Sequence, residues 1–196
     1  RRSSHFKNYK VILSGRGSPT LKKELKEFMG DLLIDDTNKN ILSLSELLKN
    51  NIILQSDAKN WKEAIQEIGE MLVDDDACDK SYIESMIKKI EEYGSYMVTN
   101  KKIAIPHSQN DNNVFKTSMG LLTLENEITF PGNLPVKIIL IFSSVDGEEH
   151  LEALADFMDL SNNHNFLSKL DEFTNIRKVK DTIKKFEFLS KIGKNK

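Results

Sequence analysis

The chain has 196 residues, of which 39% are hydrophobic and 30% charged, and its 28 basic residues nearly balance 30 acidic ones for a formal net charge of -2. There is apolar material for one domain of ordinary size with residues to spare, and too much charge for an integral membrane protein. The even charge balance leaves no global field to draw in nucleic acid or an anionic membrane surface.

Val11 to Leu13 and Leu32 to Ile34 read as short strands, with a helical pattern from Leu21 to Met29 between them, so a small β-α-β piece opens the chain. Gly15-Arg16-Gly17-Ser18 precedes that helix without the spacing or lysine of a phosphate-binding P-loop, and a plain turn is the simpler reading. Asp35 to Asn40 is a polar linker or loop, and a short helix is expected near Leu44 to Leu48. From about residue 51 the pattern becomes regular. Trp61, Ala64, Ile65, Ile68, Met71 and Leu72 line one helix face. A second helix is expected from Ser81, with Ser81 and Glu84 as a capping box, Ile83, Met86, Ile87 and Ile90 as its apolar stripe and Gly94 at its end.

Tyr96 to Val98 and Ile103 to Ile105 read as strands joined by the turn Thr99 to Lys102, and the second runs into Pro106-His107. Thr117 to Leu124 and Val136 to Phe142 are further strands, the latter with almost no alternation, as a strand covered on both faces requires. Two more helices follow: one capped by Asp146 from Gly147 to about Leu160, the other capped by Thr174 through Phe186. The sum is a three-layer α/β domain over residues 51–188, with a mixed central sheet between helices. Residues 1–50 form an N-terminal segment and residues 189–196 a basic tail.

Cys78 is the only cysteine and lies in the acidic run from Asp74 to Asp79, which weakens its thiolate. A reducing, cytoplasmic location is expected. No apolar run approaches the ~20 residues that a bilayer crossing needs. The chain begins on Arg1 rather than Met, which suggests a module cut from a longer protein.

Of the four histidines, His5 and His164 lie in polar stretches. His107 follows a strand end and Pro106, whose ring fixes its own φ and pushes Ile105 toward extended geometry. A neutral imidazole with an unperturbed pKa of about 6.5 is a competent nucleophile toward phosphorus and can carry a phosphoryl group covalently. His150, near a helix start, can donate a hydrogen bond to phosphoryl oxygens. Taken one at a time, each has a blander account: His107 closes a turn, and His150 hydrogen-bonds a neighbouring carboxylate such as Glu149. A shared metal site lacks acidic or Cys ligands at a recognisable spacing, and a hydrolase with Ser108 or Ser95 as nucleophile lacks a glycine-flanked elbow.

The stretch Glu92-Tyr93-Gly94-Ser95-Tyr96-Met97-Val98, followed by Ile103-Ala104-Ile105-Pro106-His107, resembles the active-site signature of the type 2 enzyme IIA domains of the phosphoenolpyruvate:sugar phosphotransferase system. The Tyr-Gly-x-Tyr form is similar to the ascorbate-type branch and to the domains at the C-terminus of BglG-type transcriptional antiterminators and activators. Agreement extends through Trp61 to Ile65, Tyr82-Ile83, Pro135 to Ile139 and His150 to Leu154, about two-thirds of the chain. The resemblance implies a mixed sheet between helices and no cofactor or metal. It implies that His107 accepts a phosphoryl group from the phosphocarrier HPr and passes it to a cysteine of enzyme IIB, with His150 donating to the phosphoryl oxygens and Lys89, Ser95, Pro106 and Ser108 in support. Lys89 stands where many relatives have arginine, and Ser108-Gln109 where Gly or Ala-Arg is frequent. A lysine gives a point charge in place of a planar fork.

Three uses follow from the resemblance. The chain is the C-terminal regulatory module of a sugar-responsive regulator, favoured by the missing Met and the preceding residues; or a transport component; or a degenerate domain that only binds partners. Tyr9 to Met29 reads as the tail of an enzyme IIB-like neighbour. Phe115, Met97 and Met119 are the candidate apolar docking residues, any homodimer belongs to the full-length protein, and no direct nucleic-acid binding or membrane insertion is expected.

Overall fold

The computed structural model describes residues 11–13, 33–35, 42–109 and 112–193. The chain divides into two compact units, Arg1–Asn40 and Ile41–Lys196. In the first, β1 (Val11–Leu13) and β2 (Leu33–Asp35) pair in parallel, with Val11 opposite Leu33. The helix expected from Leu21 to Met29, the turn Gly15 to Ser18 and His5 lie outside the described residues.

The second unit opens with α1 (Leu44–Leu48), whose reciprocal cap joins the Ser43 side chain to the Glu46 N–H and the Glu46 carboxylate to the Ser43 N–H. Strand β3 (Ile52–Ser56) is an element the sequence analysis passed over, since a five-residue strand with only its ends buried leaves no alternating signal. Helix α2 (Trp61–Asp74) follows Asn60, whose side-chain Oδ1 accepts from the Lys62 and Glu63 N–H groups. Helix α3 (Lys80–Tyr93) begins one residue before Ser81: its cap is Asp79, whose Oδ1 accepts from the Tyr82 N–H at 3.1 Å and from the Ser81 hydroxyl. A carboxylate accepts better than a hydroxyl here and complements the helix dipole.

The expected hairpin from Tyr96 to Ile105 shrinks to a single bridge, Val98 to Ala104, beside the two-residue strand β4 (Ile103–Ala104). Its first arm is a turn, because the Val98 N–H reaches back to the Ser95 carbonyl at 3.1 Å. Strands β5 (Ser118–Phe130) and β6 (Leu134–Ser143) are longer than expected, since beyond an irregularity between Thr123 and Ile128 they continue as a paired ribbon. Trp61 on α2 packs against Phe130 in that ribbon at 5.8 Å between ring centroids.

The sheet order is β3-β5-β6-β4; β3 runs parallel to β5, β5 antiparallel to β6, and β6 parallel to β4. It is therefore mixed, as expected. Alternate residues face opposite layers. Leu122, Ile139 and Ile141 pack with Ile65, Ile68, Met86 and Ile90 of α2 and α3. Leu121, Ile138, Leu140 and Phe142 pack with α1 and with three C-terminal helices, α4 (Leu151–Ser161), α5 (His164–Glu172) and α6 (Ile176–Gly193). Gly120 lets β5 and α2 meet: a Cβ there would lie 2.9 Å from side-chain carbons of Ile68 and Leu72.

The C-terminal layer departs from expectation in three places. Helix α4 starts at Leu151 rather than Gly147, because Gly147 takes φ +75° and Asp146 caps a turn ahead of the helix. Helix α5 was not foreseen, its polar sequence concealing the buried Phe166 and Leu170. Helix α6 is held at its start by Asn175, whose side-chain oxygen accepts from the Arg177 N–H at 2.9 Å, rather than by Thr174, and it continues helical to Gly193. Among the described residues no helix is long and apolar enough to cross a membrane.

Candidate functional site

Because β4 and β6 are parallel with Ala104 level with Ile139, both strands leave the sheet at the same edge. His107 lies three residues past Ala104 and Phe142 three past Ile139, so the register brings their rings side by side. Their centroids are 5.4 Å apart with 15° between planes, and the Tyr96 ring meets the imidazole edge-to-face at 6.1 Å and 87°. Pro106 is buried, which anchors the turn. His107 Nδ1 lies 2.9 Å from the Ile105 carbonyl oxygen. A carbonyl only accepts, so Nδ1 carries the proton and Nε2 keeps the lone pair.

Phe142 also stacks on His150, at 4.3 Å and 18°. One aromatic ring thus lies against both imidazoles. His150 is only 8% exposed, and its Nδ1 is buried without a hydrogen-bond partner. A buried orphan N–H is the rarer and costlier case, so the favoured tautomer places the proton on Nε2 and leaves the unpaired acceptor at Nδ1. Burial pushes the His150 pKa below its ordinary value; nearby His107 acts in the same direction and Asp146 opposes. The ring is therefore neutral at physiological pH.

The loop that presents His150 is tightly built. Asp146 Oδ1 accepts from the Glu148 and Glu149 N–H groups at 2.8 and 2.9 Å, and the Gly147 N–H donates to Ser144 Oγ at 3.0 Å. Glu149 accepts from the Thr117 hydroxyl at 2.5 Å. No hydrogen bond joins His150 to Glu149, and the Glu149 carboxylate accepts from Thr117 instead.

These residues line an open cleft of about 850 Å³, with Tyr96, Met97, Ser108, Gln109 and Asp146 among its walls. Lys89 lines an adjoining depression with Tyr93, and that depression shares Tyr96 and Gln109 with the cleft, so Lys89 borders the cleft without lining it. Ser108 lines the cleft, whereas Ser95 does not and has a buried hydroxyl without a partner. Neither serine hydroxyl is hydrogen-bonded to a histidine, so no activated nucleophile is assembled. Among the described residues no three His, Cys, Asp or Glu side chains gather where they could hold a metal ion. Cys78 is buried and its thiol is pushed up to about 12, by burial more than by Asp79. Of the candidate docking residues, Phe115 is exposed, Met97 is buried but reaches the cleft, and Met119 is wholly inside the core.

Two residues that the sequence analysis did not single out complete the geometry. Phe142 read only as the end of an unalternating strand. Tyr82 read as a helix-start residue, but its hydroxyl lies 3.0 Å from the Phe142 carbonyl oxygen and 3.2 Å from that of Ser108.

Residues 46–186 match the model of the family described as phosphoenolpyruvate-dependent sugar phosphotransferase system, EIIA 2. The chain belongs to the PTS EIIA type 2 family. It is 33% identical over 112 residues to the ascorbate-specific PTS system EIIA component of Salmonella choleraesuis, covering 56% of this chain and 71% of that protein. The fold of this EIIA domain is similar to that of a PTS IIA domain from Streptococcus pyogenes, with a TM-score of 0.69 at 25% identity over 74% of this chain and 98% of the other. It also resembles Escherichia coli enzyme IIAMtl, solved in complex with phosphorylated enzyme IIBMtl, at a TM-score of 0.60 and 18% identity over 68% and 93% of the two chains. EIIA domains of this family are phosphoryl carriers of that system.

Proposed function

We propose that this EIIA domain carries its phosphoryl group on His107, with phospho-HPr as donor and a cysteine of an EIIB partner as recipient. The observation that carries the reading is the hydrogen bond from His107 Nδ1–H to the Ile105 carbonyl, which leaves the lone pair on Nε2 of a ring that lines the cleft. Nε2 attacks phosphorus while the donor's N–P bond breaks and its electron pair returns to the donor imidazole. The Nδ1 proton stays on His107, where Ile105 stabilises the charge that the ring gains. Transfer of this kind depends on positioning and on donors to the phosphoryl oxygens rather than on acid-base exchange. His150, neutral and with its proton on Nε2, is such a donor, and Lys89 contributes a cationic field from the adjoining depression.

Intact mass after incubation with phosphoenolpyruvate, enzyme I and HPr tests the reading. Gain of the mass of one phosphoryl group, acid-labile and absent in His107→Ala, is expected; no gain by the folded wild type overturns it.

Two uses of that chemistry are proposed. The matched ascorbate-specific EIIA relatives support a sugar-specific transport component. The separate unit Arg1–Asn40 supports the second use, a C-terminal module of a BglG-type regulator in which phosphorylation reports sugar supply. The full reading frame discriminates, since a regulator carries a nucleic-acid-binding module.

A further inference from the structure

The two strand ends that form the site are joined by one hydroxyl. Tyr82 is 2% exposed on the first turn of α3, and its Oη donates toward the Phe142 carbonyl at 3.0 Å and the Ser108 carbonyl at 3.2 Å. One carbonyl follows His107 by a single residue. The other belongs to the residue whose ring stacks on both His107 and His150. We propose that Tyr82 is a positioning residue for phosphoryl transfer, its single shared hydrogen holding the exit loop of β4 and the end of β6 at the separation the histidine pair needs.

Other observations fit this role. β4 has only two residues, so ladder hydrogen bonds alone hold the His107 loop weakly. Both carbonyls lie beyond the last β4–β6 pair in register, Ala104 with Ile139, where the sheet no longer fixes their spacing. The tyrosine itself is fixed from below: its N–H is capped by Asp79, and its carbonyl accepts from the Ser85 hydroxyl at 2.7 Å. Burial pushes the phenol up to about 12, so it remains a donor at any physiological pH. Tyr82 touches neither the cleft nor any transferred group, and it acts through Phe142 and the His107 loop.

The inference rests on the proposed role of His107, and Tyr82→Phe tests it because this change removes only the hydroxyl. With phospho-HPr as donor, the maximal rate of phosphoryl uptake should fall roughly ten-fold to a hundred-fold, the scale expected for displaced reacting groups, while the KM for phospho-HPr stays unchanged because the cleft rim is untouched. Ile87→Val, a core change on the same helix, controls for lost stability and should leave the rate at the wild-type value. A second readout does not depend on transfer: ¹⁵N spectra of the imidazoles in the unphosphorylated protein. The wild type should show His107 as a single Nδ1–H tautomer and Tyr82→Phe a mixture of tautomers. A Tyr82→Phe protein with the wild-type rate and wild-type ring spectra overturns the inference. If the wild type takes up no phosphoryl group, the reading of His107 fails, and the ring spectra alone decide on Tyr82: unchanged spectra in Tyr82→Phe overturn it and a mixture supports it.

Discussion

The two histidines of the cleft are held in opposite ways. His107 is half-buried, follows an anchored proline and is oriented by a hydrogen bond to its own chain two residues back. His150 is buried, has no hydrogen bond at Nδ1 and is oriented by packing on Phe142 and by the turn that Asp146 caps. A ring fixed through one nitrogen offers the other as a nucleophile, whereas a ring fixed by packing offers a neutral donor. Under the proposed function, these different modes of support suit two chemically identical side chains to different tasks, and each mode can be broken separately.

The largest effect is expected from removing what the two corners share. Phe142→Ala should cost about 3–5 kcal/mol of stability, the range for deleting a buried aromatic ring, measurable by urea unfolding, and should disturb the imidazole spectra of both histidines. A loss confined to one histidine would show that the two rings are supported independently.

Next in size is His150→Ala. Loss of one preorganised donor should slow phosphoryl uptake by about 10²–10³-fold, with the His107 Nδ1–H tautomer unchanged because its hydrogen bond is local. A matching loss of that tautomer would erase the distinction between the corners.

Gly147→Ala strains only the His150 side. Its φ of +75° is left-handed, and an alanine there should cost about 1–2 kcal/mol, read from the unfolding midpoint, with His107 chemistry intact apart from the weaker donor.

The pH dependence of stability is the smallest effect and bears on His150 alone. Its pKa is lowered in the folded protein, so the unfolded chain takes up the proton first as pH falls. Its contribution is therefore complete above the unfolded value of about 6.5 and is lost on acidification through the window between that value and the lower folded one. Urea unfolding between about pH 8 and about pH 5 should show a fall in this window that His150→Gln flattens.

How much of this the sequence discloses follows from how far apart the cooperating residues lie along the chain. Helices α2 and α3 are legible because each carries a complete apolar stripe, such as Ile83, Met86, Ile87 and Ile90, within one segment. Helix α5 is not, since its nine residues hold only Phe166, Leu167 and Leu170 as apolar positions, too short a stripe to stand out from the polar residues around it. At the candidate site, the two histidines are marked by local context: a proline and strand end for one, a helix start for the other. Phe142 and Tyr82 carry no such mark. The ring of Phe142 reaches His107 only through the parallel β4–β6 register, and the Tyr82 hydroxyl meets the Ser108 and Phe142 carbonyls only because α3 brings it to both strand ends. Cap choice is similarly hidden: Asp79 and Ser81 are both good acceptors, and the path of the chain into the helix selects between them.

The proposed transfer requires that Nε2 of His107, and no other ring nitrogen, take the phosphoryl group. The most direct test is ¹⁵N and ³¹P spectroscopy of the uniformly ¹⁵N-labelled protein after phosphorylation by phospho-HPr. Phosphorus coupled to Nε2 of His107, with its Nδ1 still protonated, is the predicted result. Phosphorus on Nδ1 of His107, or on His150, would contradict it.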